Sequence, residues 1–124
     1  MLESTVSKRI LVVDDEPSLL EVLSEMAERL GFEPLQASKG IEAYEIGRAE
    51  KLPLALMDIN LPDISGVEVV RRWRSIGIQT PVIFATAEAD ASERREAQDL
   101  SDGRLLEKPF HREELNELLA TLEA

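Results

Sequence analysis

Asp14, Asp15, Asp58, Thr86 and Lys108 are the residues of this chain whose types and placement could do chemistry together. Each follows an apolar run, at residues 10–13, 54–57, 82–85 and 105–106. Short apolar runs bounded by polar residues read as strands buried on both faces. In an open parallel sheet, ligands bind outside the carboxyl ends of the strands. The four strand ends would then gather three carboxylates, a hydroxyl and an ammonium in one crevice. Carboxylates at close range repel one another unless a divalent cation joins them. A lysine and a hydroxyl opposite are what a phosphoryl group needs. The chemistry indicated is metal-assisted handling of a phosphoryl group. Asp58 is the candidate nucleophile, able to form an aspartyl phosphate. Asp14 and Asp15 are the natural co-ligands of a hard cation such as Mg²⁺. Lys108 would neutralise the transferred group as a point charge, and Thr86 would donate a hydrogen bond to one of its oxygens.

Taken singly, none of these residues says much. Asp14, Asp15 and Glu16 ahead of a helix could serve only as cap and dipole partners. Asp58 could be a turn residue, and Lys108 before Pro109 is common. The signal lies in their joint placement at strand ends of one edge.

The elements that must position them alternate. Strands are predicted over residues 9–13, 33–37, 54–58, 81–85 and 104–107, with helices over 17–30, 41–49, 67–76, 88–100 and 112–122. Pro17 opens the first helix and Gly31 closes it. Its inward stripe is Leu19, Leu20, Val22, Leu23, Met26, Ala27 and Leu30. Ile41, Tyr44 and Ala49 are expected to face inward from the second helix, and Val67, Val70, Trp73 and Ile76 from the third. The fourth is nearly all polar, and the fifth points Leu115, Leu118, Leu119 and Leu122 inward. Between residues 59 and 66 there is no helical period, and Pro62, Asp63 and Gly66 are turn residues. Such alternation with short connections indicates an α/β fold around a parallel sheet.

At 124 residues the chain has the length of one ordinary domain, with a core expected over about 8–122. Its hydrophobic fraction of 44% and charged fraction of 31% carry no signature of disorder. A net charge of −11 argues against direct nucleic-acid binding, which depends on a basic footprint. Without cysteine there are no disulfides and no thiolate metal sites. The first eight residues lack the apolar stretch of a signal peptide, and no window approaches the roughly 18 apolar residues of a membrane span. The expectation is a cytoplasmic domain without membrane contact.

Four segments carry a family resemblance: residues 12–17 (Val-Val-Asp-Asp-Glu-Pro), 57–66 (Met-Asp-Ile-Asn-Leu-Pro-Asp-Ile-Ser-Gly), 85–87 (Ala-Thr-Ala) and 107–110 (Glu-Lys-Pro-Phe). Together they resemble the signatures of bacterial two-component response-regulator receiver domains, across about residues 8–122. The resemblance implies a five-stranded parallel sheet in order 2-1-3-4-5, doubly wound with five helices, as in flavodoxin-like folds. It implies that Asp58 takes a phosphoryl group from a histidine kinase or histidine phosphotransfer protein. Mg²⁺ would be bound directly by Asp15, Asp58 and the backbone carbonyl of Asn60, and by Asp14 through water. Thr86 would act as the switch, and a cis peptide bond would precede Pro109. The output would be an unidentified downstream protein meeting the fourth helix, fifth strand and fifth helix; a weak or phosphorylation-dependent dimer is compatible with it. Asn60 and Glu88 match positions that shorten the signal in the chemotaxis receiver, implying fast loss of the phosphoryl group.

Three departures stand out. Leu105 occupies the place of a Tyr or Phe whose ring ordinarily rotates inward with the threonine. Ser101 and Asp102 replace the usual Gly-Ala, with the glycine displaced to Gly103. Phe84, Ala85 and Thr86 with Leu105 resemble an atypical subgroup that accompanies some stress-response kinases, although that subgroup carries Gly where this chain has Ala87. Two other functions share part of this pattern. An aspartate-nucleophile phosphatase resembles this pattern but carries an acid two residues after the nucleophile, where Asn60 stands. A constitutive docking domain would not need the five intact site residues. The expectation is therefore a signalling switch rather than an enzyme acting on external substrates. His111 is expected in solvent, and Trp73 in the core.

Overall fold

Strands and helices alternate as the apolar runs predict. In the computed structural model β1 (Lys8–Val13) leads to α1 (Pro17–Arg29), β2 (Phe32–Ala37), α2 (Gly40–Ala49), β3 (Ala55–Asp58) and α3 (Gly66–Ser75). They are followed by β4 (Val82–Thr86), α4 (Ala91–Ser101), β5 (Leu105–Glu107) and α5 (Arg112–Glu123). Residues 8–123 are described; residues 1–7, read above for a signal peptide, and Ala124 lie outside them. The strands pair in parallel in the order β2-β1-β3-β4-β5.

Successive residues of a strand point to opposite faces, and here both faces are covered. Leu11 and Val13 of β1 join Met57, Phe84, Val70 and Trp73 in the layer under α2, α3 and α4. Ile10 and Val12 join Leu56, Ile83, Leu23, Ala27, Leu115 and Leu119 in the layer under α1 and α5. That is why β1 from Ile10, β3 and β4 read as unbroken apolar runs rather than alternating ones.

The helices depart from their predicted stripes in specific places. Val22 on α1 and Ile41 on α2 are each 46% exposed, and Ile76 is 52% exposed. Ala49 is exposed as well. Buried on α2 are Gly40, Ala43 and Gly47. The reason is Trp73, which lies fully buried as expected and packs closely against that helix: a Cβ at Gly47 would stand 2.4 Å from its ring. The Trp73 indole N–H donates to the Tyr44 carbonyl at 3.2 Å. Close backbone approach, not a row of large side chains, joins α2 to α3. Ile76 is the C-cap of α3 and lies beyond its buried face, where Val69 is buried instead.

The fourth helix begins at Ala91, three residues later than predicted, because Asp90 and Glu93 form a reciprocal capping box. It ends on Asp102 in the left-handed region (φ 54°), followed by Gly103 (φ 84°), whose N–H bonds the Gln98 carbonyl at 2.7 Å. The displaced glycine thus completes a left-handed helix end. Leu105 pairs with Phe84 across β4 and β5 and is half-buried in the layer containing Ala89, Ala97 and Leu100.

Candidate functional site

Sheet register places the chemical residues side by side. Val13 pairs with Met57, Asp58 with Ala85, and Thr86 with Glu107. Asp14 and Lys108 are each the next residue after a paired strand end, so all four strands finish at one level. Two close approaches hold that level. The Asp14 N–H donates to the Ala37 carbonyl at 3.1 Å, and the Lys108 N–H donates to the Thr86 carbonyl at 2.9 Å. The Lys108–Pro109 peptide bond is cis.

Asp58 is 7% exposed and Asp14 1% exposed, and both are anchored in the same manner. One Asp14 carboxylate oxygen accepts the Glu16 N–H at 3.0 Å, and the other accepts from the Lys108 ammonium at 2.5 Å. One Asp58 oxygen accepts the Asn60 N–H at 3.2 Å, and the other accepts from Lys108 at 3.1 Å. Asp15 is exposed, and one carboxylate oxygen from each of Asp14, Asp15 and Asp58 lies within 4.8 Å of the others. An all-oxygen anionic set of this size suits a hard divalent cation, so the residues present fit Mg²⁺.

Electrostatics follow from that crowding. Burial pushes the Asp58 pKa up, the Lys108 charge opposes it, and the Asp14 charge adds to it, leaving it above the ordinary carboxylate value. For Lys108, burial alone would lower the pKa, but bonds to Asp14 and the charges of both aspartates outweigh it and raise it. Lys108 is therefore a firmly charged ammonium between two carboxylates.

Thr86 is fully buried, yet its hydroxyl does not face Asp58. It donates instead to the Glu88 carbonyl at 2.8 Å. The Asn60 side-chain amide donates to the same carbonyl. Asn60 and Glu88, singled out together from sequence, do meet, but through the backbone of Glu88 rather than its exposed side chain. His111 is exposed, as expected, and its N–H is capped by Glu114 at 2.8 Å.

Two supporting residues escaped the sequence reading. Asp63, read only as a turn residue, caps α2 from the loop before α3, accepting the N–H groups of Gly40 at 2.7 Å and Ile41 at 2.9 Å. Gly66, read the same way, opens α3 directly against the strand that carries Asp58; a Cβ there would lie 2.0 Å from the Asp58 carbonyl oxygen. A glycine at the predicted start of a helix was the available signal for the second. Nothing local pointed to the first.

Among the described residues, no helix is long and apolar enough to cross a membrane. The model of the response regulator receiver domain matches residues 10–120. The chain is 33% identical over 111 residues to the alkaline phosphatase synthesis transcriptional regulatory protein PhoP of Bacillus subtilis, covering 90% of this chain and 46% of that protein. It spans about half the length of the curated relatives it matches, which are transcriptional regulatory proteins. Among solved structures it is similar to the response regulator TrrA of Thermotoga maritima in complex with Mg²⁺ and BeF, at 34% identity and TM-score 0.82, over 93% of this chain and 98% of that one. It is also similar to the receiver domain of a sensor histidine kinase of Pseudomonas aeruginosa with magnesium in the active-site cleft, at 28% identity and TM-score 0.84, over 96% of this chain and 100% of that one. With that match over most of its length, and the same sheet order and doubly wound helices that its motifs imply, the chain belongs to the response regulator receiver domain family.

Proposed function

We propose that this domain takes a phosphoryl group from a phosphohistidine onto Asp58 and changes its partner binding through the face formed by α4, β5 and α5. The observation that carries the reading is the single ammonium of Lys108 bound to both buried carboxylates, with Asp15 beside them. In the transfer, a carboxylate oxygen of Asp58 attacks phosphorus and an O–P bond forms. The N–P bond of the donor breaks, and the imidazole nitrogen keeps the electron pair and takes a proton from water. Lys108 supplies a fixed positive charge beside the acquired group. Asp15, Asp58 and the Asn60 carbonyl would hold Mg²⁺ directly, with Asp14 reaching it through water. Bound there, the ion would supply positive charge against the mutual repulsion of the carboxylate and the phosphoryl oxygens. Thr86 must give up the Glu88 carbonyl to reach a phosphoryl oxygen.

The phosphatase alternative lacks its general acid. The residue in that place is Asn60, whose amide is spent on the Glu88 carbonyl and has no proton to lend a leaving group. Signalling also agrees with the transcriptional regulators among the relatives. Incubation with a small acyl phosphate and Mg²⁺ should add one phosphoryl group to the wild type, read by intact mass. Chelation of the metal should abolish the gain. If Asp58→Asn gains the same mass to the same extent, the assignment is wrong.

A further inference from the structure

The carbonyl of Glu88 receives two side-chain donors, the Thr86 hydroxyl at 2.8 Å and the Asn60 amide. A threonine hydroxyl has one proton to donate. While Glu88 holds it, that proton is withheld from anything attached to Asp58. The backbone of Thr86 is meanwhile fixed, with its carbonyl bonded by the Lys108 N–H, so only the side chain is free to change partner. Asn60 touches both alternatives, its own N–H resting on Asp58 at 3.2 Å and its side chain on Glu88. The loop between β4 and α4 has a second tie, from the Arg94 Nε to the Ala89 carbonyl at 3.3 Å, and the same guanidinium is paired with Glu107. Losing Asn60 would therefore loosen one end of the loop without releasing the whole.

We propose that Asn60 is a positioning residue for the off state: its side-chain amide pins the Glu88 carbonyl where that carbonyl captures the Thr86 hydroxyl. The inference rests on the phosphoryl reading of the site and adds to it what the switch must break. A two-state equilibrium shifts only by the difference in interaction between its states. The Asn60–Glu88 bond belongs to the off state, so removing it lowers the cost of the on state. Asn60 is exposed and outside the core, and truncating it opens no cavity.

Beryllofluoride with Mg²⁺, a tetrahedral phosphoryl mimic, is the probe. Asn60→Ala should bind it about fivefold more tightly than wild type, the effect expected from one neutral hydrogen bond. In a Thr86→Val background, which has no hydroxyl to capture, the same change should have no effect. Equal or weaker binding by Asn60→Ala overturns the proposal. So does a gain that persists without the Thr86 hydroxyl, since Asn60 would then act on the ligand directly. Hydrogen exchange without any ligand decides it independently: amides of residues 87–90 should exchange faster in Asn60→Ala, and unchanged rates overturn the latch. Failure of the wild type to bind beryllofluoride would instead refute the phosphoryl reading, with the exchange comparison still deciding the latch.

Discussion

Asp14 and Asp58 each give one oxygen to a backbone N–H and the other to Lys108. Asp15, by contrast, is exposed beside them and is the least committed carboxylate of the three. That asymmetry bears on the metal. Asp15→Asn should weaken Mg²⁺ binding more than Asp14→Asn, by about tenfold or more, a loss of the size typical for groups around a metal. Calorimetric titration reads it, and equal affinities of Asp15→Asn and wild type would contradict it. Asp63 offers a test of a different kind. Its slight burial would raise the pKa, but backbone N–H donors from Ile41, Ile64 and Gly40 outweigh that and hold it below the ordinary range. A carboxylate depressed on folding adds stability above its unfolded pKa of about 3.9, and that stability is lost as pH falls through the lower folded value. Asp63→Ala should therefore melt below wild type near neutrality, by a cap's worth of about 1 kcal/mol. The gap should close under acid conditions; a gap of the same size in strong acid would show that the cap is not the cause.

At the scale of elements, α4 is the one whose anchorage differs in kind. Only Ala97 and Ser101 are buried on it, and alanine brings little apolar area at about 25 cal/mol per Å². What holds it is polar: the capping box, the pair of Arg71 with Glu96, and the pair of Arg94 with Glu107. Partly exposed pairs of this sort contribute at most about 1 kcal/mol each and weaken with salt. Amides of α4 should exchange faster than those of β3, and faster still at high ionic strength. Protection of α4 equal to that of β3 would count against this. The polar character of α4 was legible in the sequence, as were the inner strands β1, β3 and β4, because a strand buried on both faces leaves an unbroken apolar run. The inward face of α2 was legible only at Tyr44, which packs against the core. Its fully buried positions are Gly40, Ala43 and Gly47, chosen by the ring of Trp73 and by Ile64 rather than by their own hydrophobicity. Apolar periodicity pointed instead to Ile41 and Ala49, which are exposed. That Asp14, Asp15, Asp58 and Lys108 gather at one edge was legible because strand ends are, but the partner of the Thr86 hydroxyl was not. Its partner is a backbone carbonyl, and every residue has one.

The molecule as a whole joins two unequal halves around its sheet. On the β1 and β3 side, buried carboxylates are fixed by strand register and by the close approach of Gly66. On the β4 and β5 side, Thr86 sits between the rigid sheet and a loop and helix held by hydrogen bonds and ion pairs. A charge acquired at Asp58 would therefore be felt first where the structure is least firmly packed, on the face proposed to meet a partner. Every role proposed for the site depends on where the phosphoryl group goes. After treatment with an acyl phosphate and Mg²⁺, borohydride reduces an aspartyl phosphate to homoserine, and peptide sequencing by mass locates it. Homoserine is expected at position 58 and at no other aspartate. Its appearance at Asp14 or Asp15, or an unmodified Asp58 in protein that has gained the phosphoryl mass, would contradict it.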